Sequence, residues 1–294
     1  MQPNFLIFGT QKAGTTWLAR RLEEHPDIFL TAEKELHFFN HRFDRGLAWY
    51  ETHFEERRDE KMAGEATPGY LNSSDAPERI KTVLGADVKL IASLRHPVDR
   101  AYSAFWHYTT RGKLPLDADF RDVFTSDNAF GIRDRGFYGQ HLSRYFDCFP
   151  RENLLIMIFE KWKKDNEKTL SQCLSFLDVD DQFKFSLVHK RTNHSQDIRQ
   201  FQGKTMAIRN AVKAKVNLLP REYRQNVLRV GAQAYKELVL RWLPKKQDYQ
   251  SLDPSLRQEL LQTYMSDIHQ LEDLLKQDLS IWYREDSSPL SKSD

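Results

Sequence analysis

The sequence predicts an α/β fold: a central, mostly parallel sheet flanked by helices, with a helical C-terminal third. Two observations carry this prediction. Short apolar runs, typical of buried strands, alternate with segments of helical periodicity over the first two thirds of the chain. The last third carries helical periodicity and many charges. Strands that alternate with helices favour a parallel sheet, because a parallel pair needs a crossover connection.

The first elements form the opening of a parallel α/β unit. Residues 4–9 (NFLIFG) are an apolar run that stops at glycine, which predicts a buried strand. From Thr15 the apolar residues fall at helical spacing, which predicts a helix that ends near Pro26. Residues 28–31 (IFLT) predict a short second strand. A strand, a glycine loop and a helix in this order are typical of a phosphate-binding unit.

Two more strands are predicted further along the chain. Residues 88–94 (VKLIASL) predict a buried strand, and the following helix is expected to begin at Pro97. Residues 153–159 (NLLIMIF) predict another strand, between helical stretches at 139–149 and 166–177. Ligands of such sheets bind at the carboxyl ends of the strands, so the ends of these runs are where chemistry is expected.

The C-terminal third is predicted to be helical. Residues 253–283 show the periodicity of one amphipathic helix that begins with an Asp-Pro cap. We expect a single domain over residues 1–294, with a basic helical lid or insertion near 200–250 and a disordered tail from about residue 286. The basic region 204–246 is a candidate for contact with a membrane surface or a carrier protein. The oligomeric state is not indicated.

The composition excludes several function classes. The 44 basic and 42 acidic residues give a net charge of +2, whereas a general nucleic-acid binder shows a strong basic excess. Cys148 and Cys173 form no CxxC pair, which argues against a disulfide framework or a zinc knuckle and predicts buried thiols. The longest apolar run, residues 154–159, is too short to span a bilayer, and no signal peptide is evident. We therefore expect a cytoplasmic protein without a transmembrane segment.

The loop FGTQKAGTTW, residues 8–17, resembles a phosphate-binding loop with its lysine displaced. ATP-binding loops place lysine directly after the second glycine, whereas this chain has Thr15 there and carries Lys12 before Gly14. Backbone amides at a helix N-terminus, a lysine and two hydroxyls still make an anion site. No acidic strand end suited to magnesium is evident. A glycine turn that merely starts a helix explains the loop about equally well.

A second anchor follows the strand at residues 88–94. Arg95 stands at the strand end, and Ser103 lies eight residues later, about two helical turns into the next helix. An arginine fork and a serine hydroxyl suit a phosphate monoester. Taken singly, each is more often structural than functional.

Several motifs together resemble the sulfotransferases that use 3′-phosphoadenosine 5′-phosphosulfate (PAPS). QKAGTTWL looks like the 5′-phosphosulfate loop of that family, and LRHPVDRAYSAFWHY looks like its 3′-phosphate motif. KELHFFN, GEATPGYL and residues 136–162 resemble the branch of heparan sulfate sulfotransferases and many bacterial enzymes, and residues 267–283 are similar to the C-terminal helix of bacterial members. The resemblance covers nearly the whole chain and implies a P-loop-like sulfotransferase fold.

The resemblance also implies roles for individual residues. Those expected around the donor nucleotide are Lys12, Ala13, Gly14, Thr15, Thr16 and Trp17 at the 5′-phosphosulfate, Arg95 and Ser103 at the 3′-phosphate, Tyr138 near the nucleotide, and Lys190, Arg191 and Asn193 in a late closing loop. Lys12 would stabilise charge on the leaving phosphate, a scheme that requires no metal. The product would be 3′-phosphoadenosine 5′-phosphate (PAP).

A general base must take the proton of the acceptor hydroxyl or amine. KELHFFN offers Glu35 and His37, which share one side if the segment is extended. Heparan-type relatives use the glutamate at the Glu35 position, whereas cytosolic small-molecule relatives use a histidine elsewhere. We expect Glu35 to be the base with His37 in support. His107 and Tyr70 are expected in the acceptor pocket, although an ordinary half-buried histidine explains His107 slightly better.

Departures from the heparan-type pattern bear on the acceptor. Those relatives carry a lysine where this chain has Ala66, and they have a cysteine-linked loop and a membrane anchor that are not recognised here. A small hydroxylated metabolite, a lipid, a short glycan or a carrier-bound intermediate is favoured over a long polysaccharide. Two alternatives remain: an ATP-dependent small-molecule kinase, and a non-catalytic nucleotide-binding module.

Overall fold

The computed structural model describes residues 2–115, 117–126, 129–185 and 251–284. Its centre is a five-stranded sheet with the strand order β2-β3-β1-β4-β5. Every strand pairing in that sheet is parallel. The strands are β1 (Phe5–Gly9), β2 (Ile28–Leu30), β3 (Met62–Ala66), β4 (Lys89–Leu94) and β5 (Leu154–Ile158). The predicted α/β class and parallel sheet are confirmed.

Helices cover both faces of the sheet. In the described residues they are α1 (Thr15–Leu22), α2 (Phe38–His41), α3 (Leu47–Glu51), α4 (Ala76–Leu84), α5 (Pro97–Thr110), α6 (Phe120–Thr125), α7 (Tyr138–Cys148), α8 (Phe159–Trp162), α9 (Asn166–Phe176), α10 (Pro254–Leu261) and α11 (Met265–Leu275). Alternation along β1 divides the core. Leu6 and Phe8 belong to one buried cluster, and Phe5 and Ile7 to the other. The predicted helix start at Pro97 is confirmed.

Strand β3 was not predicted, because its sequence MAGEA lacks an apolar run. It nevertheless lies inside the sheet, between the edge strand β2 and the central strand β1. Gly64 is required there, since a Cβ atom would come within 2.5 Å of the Phe5 ring. Glu65 is fully buried and has hydroxyl partners for its carboxyl oxygens. A buried strand of this kind has no hydrophobic signature, so periodicity could not identify it.

The prediction of one continuous helix over residues 253–283 was wrong. Helices α10 and α11 are separated by a 3₁₀ turn at Gln262–Tyr264, and α11 ends where Lys276 takes a left-handed conformation with φ 53°. The chain then turns back, because the Leu279 amide donates to Glu272 Oε1 at 2.8 Å and the Trp282 indole donates to Glu160 at 2.9 Å. These tertiary contacts outweigh local helical periodicity.

The remaining predictions concern the cysteines, membrane-spanning helices and the C-terminal regions. Cys148 and Cys173 are buried free thiols, as predicted. Within the described ranges, no helix has both the length and the apolar character needed to cross a bilayer. The predicted lid near 200–250 and the tail from about 286 lie outside the residues that the structure describes.

The topology brings three segments to one edge of the sheet. β1 pairs with β4 on one side and with β3 on the other, so the carboxyl ends of all three strands are adjacent. The loop after β1 therefore lies beside Arg95, which follows β4, and beside Thr67, which follows β3. This edge carries the candidate site.

Candidate functional site

The loop between β1 and α1 leaves the amide end of α1 open. Gly14 occupies the N-cap of α1 with φ 82°, no side chain caps the helix, and its first turn holds no acidic residue. A Cβ atom on Gly14 would come within 2.5 Å of the Trp162 ring, so no larger residue fits this turn. The first backbone N–H groups of a helix and the helix dipole favour an anion at this position.

A chain of hydrogen bonds from Trp162 through Ser93 supports the loop. The Trp162 indole donates to Ser93 Oγ at 2.8 Å, and Ser93 Oγ donates to the Ala13 carbonyl at 2.7 Å. Trp17 stacks on Trp162, with ring centroids 5.2 Å apart. The predicted nucleotide-binding loop therefore rests on a rigid aromatic support.

Lys12 lies among other charged residues at this edge of the sheet. Burial, together with the neighbouring charges of Arg95 and Arg111, lowers the pKa of Lys12 to about 8, while Glu35 opposes the shift. Its backbone takes φ 74°, a conformation uncommon for a non-glycine residue. A half-buried ammonium among other cations is suited to bind an anion, which would relieve their repulsion.

Arg95 lies beside the loop. Its Nη1 donates to the Lys12 carbonyl at 3.2 Å, and its guanidinium carbon lies 5.2 Å from the centroid of the Phe159 ring. Tyr138 is fully buried and donates its hydroxyl proton to the Arg95 carbonyl at 2.8 Å, so it supports the strand end. Ser103 lies on the second turn of α5 and is half-buried. The binding roles of all three remain predictions.

Glu35 and His37 meet, although the segment is not extended as expected. Both residues take left-handed backbone conformations, with φ 63° and φ 56°. Glu35 Oε2 nevertheless lies 3.5 Å from His37 Nε2. This hydrogen bond is the main reason why the pKa of Glu35 is lowered, against the opposing effect of burial. Glu35 is therefore an ionised carboxylate at neutral pH, held beside an imidazole.

His107 lies on α5 near Lys12 and Glu35. Burial, together with the charges of Lys12 and Arg111, lowers the pKa of His107 to about 4, while Glu35 opposes the shift. The imidazole is therefore neutral at pH 7, when it can accept a proton. This keeps His107 in competition with Glu35 for the role of base.

Tyr70 does not line the pocket as we expected. Its side chain is fully buried, and its hydroxyl donates to Glu65 at 2.5 Å and accepts the Phe38 amide at 3.0 Å. The structure places it beneath the Glu35 segment, away from solvent. Lys190, Arg191 and Asn193 lie outside the described residues.

Three cations of this edge were missed by sequence reasoning. Lys34 Nζ donates to Thr16 Oγ1 at 2.5 Å, in the first turn of α1. Arg135 Nη1 donates to Gln11 Oε1 at 3.0 Å, and burial lowers the pKa of Arg135. Arg111 acts on Lys12 and His107 through its charge. Lys34 could have been suspected as the neighbour of Glu35, whereas Arg111 and Arg135 have no motif around them.

This edge of the sheet thus places several cations beside one carboxylate that can accept a proton. Five cations from separate parts of the chain lie near the uncapped end of α1, namely Lys12, Lys34, Arg95, Arg111 and Arg135. One carboxylate, Glu35, lies close enough to raise the pKa of Lys12. Such a site can hold a multiply charged anion and remove a proton from a second molecule beside it.

Comparison with known proteins agrees with this geometry. Residues 2–266 match the family described as "Sulfotransferase domain". The membrane-associated sulfotransferase kil1 of Dictyostelium discoideum is 42% identical over 106 residues, which cover 35% of this chain and 22% of that protein. The human heparan sulfate glucosamine 3-O-sulfotransferase 3B1 is 32% identical over 182 residues, or 60% of this chain and 46% of that protein.

A solved structure is similar over almost the whole chain. The crystal structure of a sulfotransferase from Alicyclobacillus acidocaldarius has a TM-score of 0.70 and 25% identity, and it covers 97% of this chain and 100% of that one. The matched region spans about half or less of each curated relative named above. The family match extends over most of the sequence, from β1 into α11. The chain therefore belongs to the sulfotransferase family.

Proposed function

We propose that this protein transfers a sulfuryl group from PAPS to a hydroxyl or amine of an acceptor. The observation that carries the proposal is the position of Lys12 in the loop before the uncapped end of α1, where its carbonyl accepts from Arg95 Nη1 at 3.2 Å and its ammonium interacts with the Glu35 carboxylate. A lysine that lies between an anion site and a base is placed where a leaving group departs.

The residues of the site fit the donor. When bound, PAPS supplies an activated sulfuryl group and a 3′,5′-bisphosphate leaving group. The open amides of α1 and the ammonium of Lys12 suit the 5′ end, and the Arg95 guanidinium suits a phosphate monoester. Holding the donor at two anchors keeps it in register, which lowers the entropic part of the barrier.

The acceptor side is assigned to Glu35. An ionised carboxylate accepts the acceptor proton, and His37 at 3.5 Å fixes the direction of that carboxylate. Lys12 and the loop amides stabilise negative charge as it develops on the leaving phosphate. Because this scheme assigns all charge stabilisation to protein groups, we propose that no metal ion is required.

The class of acceptor is inferred from the relatives and from one departure in the sequence. The named curated relatives include enzymes of heparan sulfate, but this chain carries Ala66 where heparan-type relatives carry a lysine. We propose a small hydroxylated metabolite, a lipid, a short glycan or a carrier-bound intermediate as acceptor. A cytoplasmic location also remains our proposal.

Transfer of radiolabelled sulfate from PAPS across pooled acceptors tests the activity. We expect labelled product and release of PAP, at an unchanged rate in the presence of a metal chelator. Magnesium-dependent turnover of ATP without PAPS binding would instead identify a kinase. Nucleotide binding without any transfer to a broad acceptor pool would favour a non-catalytic module.

Replacing Arg95 with alanine should weaken binding of PAP by about tenfold or more, since a charge-assisted contact to the 3′-phosphate is lost. AMP, which lacks that phosphate, should bind both proteins with similar affinity. Titration calorimetry with PAP and AMP measures the difference. Arg121→Ala, which removes an exposed arginine paired with Glu259, is the control. Equal affinities of the unaltered protein for PAP and AMP would contradict the anchor.

PAP affinity should fall by about tenfold between pH 7 and pH 9, because the pKa of Lys12 near 8 is lower in the free protein than in the anion complex. The protonated ammonium binds the anion, so the affinity is retained below pH 8 and declines above it. Lys12→Arg, whose guanidinium stays charged, should remove most of this decline. An affinity that does not change over this pH range would rule out a Lys12 contact.

A further inference from the structure

Glu65 is a fully buried carboxylate that the proposed mechanism does not use. It lies in β3, an interior strand of the sheet between β2 and β1. Three hydroxyls surround its oxygens: Thr67 donates to Oε2 at 2.5 Å, Tyr70 donates to Oε1 at 2.5 Å, and Tyr50 lies 3.4 Å from Oε1. A carboxylate is rarely buried so completely, and its desolvation carries a free-energy cost.

Two of these hydroxyls also contact the segment that carries the proposed base. Thr67 Oγ1 accepts a hydrogen bond from the His37 amide at 3.3 Å. Tyr70 Oη accepts one from the Phe38 amide at 3.0 Å. A hydroxyl has a single proton, so donating it to Glu65 leaves its lone pairs for the amides. The carboxylate therefore determines which way both hydroxyls face.

The segment needs such support, because its backbone is strained. Glu35 and His37 both take left-handed conformations, which are unfavourable for a non-glycine residue. The third contact comes from the same strand end, where the Glu35 amide donates to the Ala66 carbonyl at 3.1 Å. Ala66, Thr67 and Tyr70 thus accept hydrogen bonds from Glu35, His37 and Phe38 in the same order along the chain.

We propose that Glu65 is a positioning residue, which acts through Thr67 and Tyr70 to hold the Glu35–Phe38 backbone so that the Glu35 carboxylate and the His37 imidazole face the transfer site. We call Glu65, Thr67 and Tyr70 the clamp. The proposal rests on the proposed function, since it assigns to the clamp the orientation of that base.

The ionisation of Glu65 agrees with this arrangement. Burial raises the pKa of Glu65 to about 7, and hydrogen bonds from Thr67, Tyr70 and Tyr50 limit the rise. The hydroxyl donors thus favour the charged form, in which both carboxyl oxygens accept. The hydrogen bonds of Thr67 and Tyr70 by themselves connect the buried Glu65 carboxylate to the segment that carries Glu35.

Tyr70→Phe and Tyr50→Phe form a matched pair for the test. Each removes one buried hydroxyl from the same carboxylate oxygen, but only the Tyr70 hydroxyl reaches an amide of the Glu35 segment. We expect Tyr70→Phe to lower kcat about tenfold, on the scale of a misplaced catalytic group, with KM for PAPS unchanged. Tyr50→Phe should change kcat less than twofold.

Thr67 provides a second test with its own rescue. Thr67→Val removes the hydroxyl between Glu65 and the His37 amide, and Thr67→Ser restores it. We expect Val to lower kcat and Ser to recover most of it, with PAP affinity unchanged throughout. If the Tyr70 and Thr67 variants lower the melting temperature yet keep the kcat of the unaltered protein, the clamp is merely structural.

Hydrogen exchange tests the clamp independently of activity. We expect the Glu35–Phe38 amides to exchange about fivefold faster in Tyr70→Phe than in the unaltered protein, and at the unaltered rate in Tyr50→Phe. Equal exchange in all three proteins overturns the clamp. Absence of sulfuryl transfer by the unaltered protein contradicts only the proposed function, so the two failures are separated.

Discussion

Replacing Lys12 with alanine is expected to lower kcat for sulfuryl transfer by a factor of about 100 or more, the scale of losing one preorganised donor to developing charge. The ammonium lies in a half-buried site, where burial has already lowered its pKa to about 8. An electrostatic contact in such surroundings is stronger than in water. Single-turnover transfer from PAPS measures the chemical step directly.

Two further measurements define the role of Lys12. PAPS affinity in Lys12→Ala should fall by a smaller factor than kcat, since the contact strengthens as the leaving phosphate gains charge. Lys12→Arg should retain binding but not full turnover, because a planar guanidinium places its donors differently. Should Lys12→Ala keep the kcat of the unaltered protein, its assignment to the leaving phosphate is wrong.

Replacing Glu35 with glutamine is expected to lower kcat by about 100-fold or more, because glutamine cannot accept the acceptor proton. The carboxylate of the unaltered protein is ionised at neutral pH, since its hydrogen bond to His37 lowers the pKa of Glu35. PAP affinity should change little. The matched control is Glu33→Gln, which alters an exposed glutamate two residues earlier that pairs with Arg42.

His107 provides the competing outcome. Its neutral imidazole can accept a proton at pH 7, since burial lowers the pKa of His107 to about 4. With Glu35 as base, His107→Asn should lower kcat less than tenfold. A large loss of kcat in His107→Asn together with full activity in Glu35→Gln would transfer the role of base to the histidine.

Strands are predictable from the sequence where their burial requires a local run of apolar residues. Four strands, β1, β2, β4 and β5, contain short apolar runs, which predict buried strands. β3 has none, since its Gly64 accommodates the Phe5 ring and its Glu65 is satisfied by hydroxyls from elsewhere. The signal was absent because β3 depends on partners that are distant in sequence.

The same distinction applies to the candidate site. Lys12 and Arg95 could be selected early, because each follows a predicted parallel strand and such strand ends meet at one edge. The contact between Glu35 and His37 was expected from an extended segment, whereas the segment is a strained turn. Arg111 and Arg135 enter from positions that have no motif.

The order of amino acids is enough to predict the α/β class, the parallel strands with apolar runs and the loop whose lysine is displaced from the ATP-binding position. These features rest on local residue order, which strand and helix periodicity reflects directly. Three other features come from tertiary contacts: β3 completes the sheet, Glu65 contacts the base segment through two hydroxyls, and Lys12 and His107 have lowered pKa values. Burial and charge at a site depend on distances between segments far apart in the chain, and local sequence patterns do not specify those distances.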